Sequence, residues 1–292
     1  MADAAAPGPL ASTDWLAARL GDPDLRIVHV SGDRKVYDQA HVPGAVFSDL
    51  HADLAGGGTR PETGAVKRQY LVPSREDVAA VLARWEVAPG MRVVLYDDVG
   101  QNRLAIRGYW LLRLYGFPAE RLHVLDGGLT AWQAEGRATA AEATVPAPAA
   151  ATEPLGERDD SLIATADQVL AWSREASAPG GPTRLLDVRT PGEFLGRDVR
   201  AARGGHIAGS RFRNFNEFVG PDNRLLPAAD ALALLRATGV EPAELRASYC
   251  QGGVRAALVW FVLHELAGLS EVRNYAESWE EWGNRTDLPV EG

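Results

Sequence analysis

Hydrophobic positions along this chain fall into two kinds of run. Short stretches dense in β-branched and aromatic residues, such as Leu25–Ser31 (L-R-I-V-H-V-S), Arg92–Asp97 (R-V-V-L-Y-D), residues 184–187 and Ala247–Tyr249, read as buried strands. Between them lie longer runs with helical spacing. Residues 228–238 (A-A-D-A-L-A-L-L-R-A-T) stop at Gly239, and residues 254–267 stop at Gly268. Strands and helices that alternate with short connections predict an α/β fold, a parallel sheet flanked by helices. The loops after the strands then gather at the carboxyl edge of the sheet, where open α/β folds bind their ligands.

The pattern occurs twice. L-R-I-V-H-V-S leads to H-V-P-G-A (41–45), and T-R-L-L-D-V-R (183–189) leads to H-I-A-G-S (206–210). R-V-V-L-Y-D precedes an apolar run containing Tyr109-Trp110, and R-A-S-Y-C (246–250) precedes one containing Val259-Trp260. Each run ends near a glycine, Gly116 or Gly268. A short strand follows, Leu122–Leu125 or 272–275, and then a Trp-bearing segment, with Trp132 in one copy and Trp279 and Trp282 in the other. A unit of this length is a duplicated domain, since solenoid repeats run to only about 20–50 residues. The expected domains are 12–137 and 161–292, joined by a linker over 138–160 rich in alanine and proline. The three tryptophans are expected to be packing anchors at the domain interface.

Composition narrows the function. With 46% hydrophobic and 24% charged residues in 292, the chain has ample material for two cores. A net charge of −9 argues against a nucleic-acid or anionic-membrane binder, while leaving room for a small anionic substrate read by a local arginine cluster. No stretch approaches the ~18 apolar residues of a membrane span. The opening M-A-D-A-A-A-P-G-P-L lacks the basic and apolar regions of a secretory signal, so a cytoplasmic location is expected. A single cysteine rules out an internal disulfide or a CxxC pair.

That cysteine, Cys250, follows a strand and opens the turn C-Q-G-G-V-R before a helix. Gly252 and Gly253 let the backbone curl so that several N–H groups can face one point, and the helix directs its positive end there. A thiol in this setting is expected to be partly thiolate at neutral pH and nucleophilic. Two chemistries use a cysteine in an anion-cradling loop. Cysteine phosphatases need C-x5-R around a tetrahedral phosphate, whereas Arg255 stands five positions after Cys250, giving C-x4-R. The tighter loop suits a single terminal sulfur.

This spacing, together with an ordered set of motifs found twice, resembles the two-domain rhodanese family. The set comprises Y-D-Q-A-H-V-P-G-A (37–45), D-V-R-T-P-G-E-F (187–194), G-H-I-A-G-S (205–210) and the closing segments V-L-D-G-G-L-T-A-W and N-Y-A-E-S-W-E-E-W. The resemblance implies two rhodanese-like domains and a sulfane sulfur carried as a persulfide on Cys250, with no cofactor or metal. Gln251, Gly252, Gly253, Val254 and Arg255 would form its anion-binding loop, braced by Asp187 and Glu193. Arg197, Arg200 and Arg203 would be candidates for binding a small anionic donor. Cyanide or a thiol would be the acceptor. The first copy, with Asp97 in place of the cysteine, would be inactive.

Departures from the family pattern concern the donor. Ala208 stands for the usual proline, Ala276-Glu277 for Asp-Gly, and Glu193 where eukaryotic members carry arginine. Thiosulfate is the expected donor. 3-Mercaptopyruvate and a non-enzymatic persulfide carrier are the alternatives. His41 and His206 are expected to brace turns, Arg189 to form a structural pair, and Asp97-Asp98 not to hold metal. The stretch from Gly56 through T-R-P-E-T-G (59–64) reads as a loop without the G-K-[ST] ending of a phosphate cradle.

Overall fold

The computed structural model describes residues 7–58 and 68–292. By packing they form two compact units. One holds residues 7–54, Pro73–Asp159 and Pro221–Leu225; the other holds residues 55–58, 68–72, Asp160–Gly220 and Leu226–Gly292.

The first unit is built on five parallel strands in the order Leu10–Ala11, Leu122–Leu125, Arg92–Asp97, Leu25–Ser31, Val46–Asp49. Successive side chains of Arg92–Asp97 face opposite ways. Val94 and Tyr96 join Trp15, Leu16, Leu129 and Trp132 in one core layer. On the other face Leu95 approaches Gly108 of the buried helix Arg103–Leu114, where a Cβ on Gly108 would sit 3.5 Å from it. Residues 138–159 run along this unit, tied by the His41–Ala140 bridge and by the Arg121–Glu153 ion pair at 2.7 Å.

The second unit repeats the plan with four parallel strands, Arg211–Phe212, Leu185–Asp187, Ala247–Tyr249 and Arg273–Asn274, and a parallel bridge from Ile163 to Asn274 where the first unit has its edge strand. Both units are therefore parallel sheets flanked by helices. Several details are shared. Tyr96 and Tyr249 each accept a backbone N–H, from Val42 and Ile207, through the phenol oxygen. His41 and His206 each donate Nδ1–H to a carbonyl, of Tyr37 at 2.7 Å and Phe194 at 3.0 Å, while stacked on those same rings. These histidines fasten turns.

Four expectations are corrected. Gly56–Gly58 is a short strand, antiparallel to Arg68–Leu71, and not a loop; residues 59–64 lie outside the described residues. The run 254–267 is α-helical only through Trp260 and widens to a π-helix over Phe261–Leu266. The strand expected at 272–275 shortens to Arg273–Asn274. Trp132, Trp279 and Trp282 each pack inside the core of their own unit. Among the described residues no helix is long and apolar enough to cross a membrane.

Candidate active site

Cys250 ends the central strand Ala247–Tyr249 of the second unit and is 1% exposed. The chain then turns through Gln251–Gly253 and enters the helix Val254–Trp260, with Gly253 at φ +78°. A side chain at Gly253 would be strained, and its Cβ would meet the Ala276 carbonyl at 2.5 Å.

Three carbonyls of this turn are tied to its back. Cys250 C=O accepts from Trp279 N–H (3.0 Å) and Gln251 C=O from Glu280 N–H (2.8 Å). Gly253 C=O accepts from Ala257 N–H (3.1 Å) and from the Asn274 amide (3.2 Å). In a trans peptide the N–H points opposite to the carbonyl before it. The N–H groups of Gln251, Gly252 and Val254 are thereby turned to the other side, and neither they nor those of Gly253 and Arg255 meet a protein acceptor among the described residues. The Cys250 N–H differs: it donates to Ser278 Oγ at 3.1 Å, and that hydroxyl donates to Tyr275 C=O. Ser278 adopts φ +53° to do so, a left-handed conformation costly for a residue with a Cβ.

The first unit shows what such a turn holds. Asp97 occupies the position of Cys250, and Asn102, at φ +56°, that of Gly253. The buried Asp97 carboxylate accepts the N–H of Leu104 (2.8 Å), Ala105 (3.3 Å) and Val99 (3.2 Å). A negative group at the strand end is therefore gripped by amides of the turn and the first helical residues. Burial raises Asp97 from 3.8 to about 6 despite these bonds. A raised carboxyl means the folded state holds a proton that the unfolded chain has lost. Stability from this group is thus present at low pH and falls by about 3 kcal/mol as pH rises from ~4 past ~6. Asp97→Asn is expected to flatten that slope, read as urea midpoint against pH. A slope unchanged by the substitution would refute the assignment.

Around the cysteine the charges form one cluster. Arg255 makes a bidentate pair with Glu193, Nη1–Oε2 2.7 Å and Nη2–Oε1 2.9 Å, and the Cys250 sulfur adds to the electrostatic support of its charge. Burial works against the Arg255 charge, but Glu193 and the sulfur overcome it and raise its pKa. Burial likewise pushes Glu193 up, yet Arg255 and Thr190 outweigh it and hold the carboxyl at about 2. Glu193 is set in place by a capping box with Thr190 in the helix Pro191–Phe194. Arg200, half-exposed, extends Nη1 to within 3.4 Å of Glu193 Oε1.

The other candidates fall elsewhere. Asp187 pairs with Arg189 at 2.6 Å, whose guanidinium lies over Trp279. The Arg203 guanidinium donates to the carbonyls of Trp282, Arg285 and Leu288 and so clasps the C-terminal segment. Arg197 is exposed, without an ion-pair partner among the described residues. Asp98 accepts from Ser31 Oγ at 2.8 Å. Two contributors escaped the sequence reading. One is Ser278. The other is Tyr70, packed so closely on Gly252 that a Cβ there would lie 2.8–3.1 Å from Tyr70 side-chain carbons. No local motif marks Tyr70, which stands far from the cysteine in sequence.

A duplicated parallel α/β fold with one cysteine at the carboxyl end of a central strand, beside an arginine and a turn of outward amides, defines a protein of cysteine-based group transfer. The chain belongs to the rhodanese family of sulfurtransferases in its tandem form: the rhodanese-like domain matches twice, over residues 12–135 and 165–285. It is 37% identical to the thiosulfate sulfurtransferase of Corynebacterium glutamicum, across 98% of this chain and 91% of that protein. It is 32% identical to the sulfur carrier protein TtuD of Thermus thermophilus, across 97% and 96%. Among solved structures, the anaerobic ergothioneine biosynthesis enzyme from Chlorobium limicola superposes with a TM-score of 0.80 at 21% identity, covering 97% of this chain and 70% of that one, a likeness of fold.

Proposed function

We propose that the second unit catalyses transfer of sulfane sulfur from thiosulfate to a cyanide or thiol acceptor through a persulfide on Cys250, and that the first unit is non-catalytic. The observation that carries this is the pair of turns. The first copy fills its amides with a fixed carboxylate; the second carries a cysteine at the same strand end, followed by amides that meet no protein acceptor among the described residues. A carboxylate has no transferable sulfur, which leaves Cys250 as the nucleophile.

In the first half-reaction the Cys250 thiolate attacks the outer sulfur of thiosulfate. The sulfur–sulfur bond of the donor breaks, and sulfite leaves with its electron pair. In the second, the acceptor attacks the outer sulfur of the persulfide and the Cys250 thiolate departs. The N–H groups of Gln251 to Arg255 stabilise the terminal sulfur anion, and Arg255 shares its charge with it. Arg200, the exposed cation of the cluster, meets the anionic end of the donor.

Intact mass spectrometry after thiosulfate treatment is expected to show a gain of one sulfur atom at Cys250, lost on adding cyanide. No adduct with either thiosulfate or 3-mercaptopyruvate would end the proposal. A preference for mercaptopyruvate above ~10-fold in kcat/KM would reassign the donor. A persulfide carrier would load only from a protein partner; the burial of Cys250 favours small donors.

A further inference from the structure

Gln251 is more than a backbone donor. Its side chain is nearly buried, at 8% residue exposure, directly after the cysteine. One end of its amide is defined by chemistry: only the NH2 group can donate to a carbonyl, and Nε2 lies 3.1 Å from the carbonyl oxygen of Arg200. The other end, Oε1, is buried without a protein partner. Packing alone would favour an apolar side chain of the same length here, since a buried amide bonded at one end is costly. The useful half is the donor.

The Gln251 bond closes a ring. Gln251 holds the Arg200 backbone; the Arg200 guanidinium returns to Glu193 at 3.4 Å; Glu193 grips Arg255 at 2.7 and 2.9 Å; and the loop backbone joins Arg255 back to Gln251. Within this ring the contacts are unequal. Glu193–Arg255 is short, bidentate and shielded. Arg200–Glu193 is long, single, and ends on a side chain 48% exposed. Arg200 can therefore exchange Glu193 for an incoming anion while its main chain stays fixed to the loop.

We infer that Gln251 is a positioning residue for donor binding: its side-chain amide anchors the Arg200 segment to the cysteine loop and so sets the distance between the sulfur and the cation that reads the donor's anionic group. The inference rests on the thiosulfate reading above. It makes the first loop residue a determinant of donor affinity and leaves the sulfur-transfer step to Cys250, Arg255 and the backbone.

Gln251→Met keeps length and burial and removes the donor. With thiosulfate varied, this variant is expected to raise KM about tenfold and change kcat less than about twofold. KM for dithiothreitol, a neutral acceptor, is expected to stay at the wild-type value. Arg200→Ala is expected to match the thiosulfate effect, and the double variant to be no worse than Arg200→Ala alone, because both remove one coupled interaction. The Cys250 sulfur adduct at saturating thiosulfate confirms that each variant keeps an intact site. If Arg200→Ala raises KM but Gln251→Met does not, or if the two effects add, the anchor is refuted. If Arg200→Ala leaves KM unchanged while the adduct forms, Arg200 is not the reader and the inference falls with it. If wild type forms no adduct, the failure belongs to the proposed function instead.

Discussion

Cys250→Ser is expected to lower turnover with thiosulfate and cyanide by ~10⁴-fold or more, the scale seen when a covalent nucleophile is removed. The chain has one cysteine, so no second thiol can substitute. Serine matches the size of the buried side chain and leaves the Ser278 and Trp279 bonds to the residue's backbone in place. The hydroxyl is a weak nucleophile toward sulfur and forms no stable counterpart of a persulfide. Loss of turnover is therefore expected with an unchanged unfolding midpoint and no mass gain after thiosulfate. Retained turnover in Cys250→Ser would move the chemistry away from this loop.

Glu193→Ala is expected to be the most damaging substitution for folding in the second unit. Glu193 is 1% exposed, and the side chain of its partner Arg255 is largely shielded, at 14% exposure. Removing the carboxylate leaves a buried guanidinium without its counter-charge, and breaking such a pair from one side costs about 3–5 kcal/mol. Urea unfolding should register the loss, and sulfur loading should fall with it because Arg255 is no longer aimed at Cys250. Glu193→Gln keeps hydrogen-bonding atoms at the site and is expected to be milder. The pH dependence has the opposite sign to that of Asp97. Because the folded Glu193 carboxyl is held at about 2, its stabilisation is complete above the ordinary glutamate range and is lost as pH falls toward 2. A Glu193→Ala protein as stable as wild type at neutral pH would show the pair to be incidental.

What was legible in the sequence followed from local rules. Period and punctuation placed Leu25–Ser31, Arg92–Asp97, Leu122–Leu125 and Ala247–Tyr249 as strands, because each is a β-rich run between turn signals. The duplicated motifs made the second sheet readable from the first. What escaped was set by partners distant in the chain. Arg203 looks like its neighbours in a charged loop, but the C-terminal segment offers it three carbonyls, which no pattern near residue 203 announces. Gly56–Gly58 has no side chains to signal a strand; only pairing with Arg68–Leu71 makes it one. The π-helical widening at Phe261–Leu266 changes hydrogen-bond register without altering the apolar spacing that marked a helix. Ser278 reads as an ordinary serine, and its left-handed backbone becomes visible only with the cysteine loop beside it.

The carboxylate lodged in the first turn has a bearing on the working copy. If amides at the end of each central strand are shaped for negative charge, the reduced enzyme awaiting substrate is the less well-satisfied form, and a terminal sulfur anion completes its turn as Asp97 completes the other. Loading with sulfur then gives the turn amides a partner as well as storing the atom to be delivered, and the acceptor must draw it out against that grip.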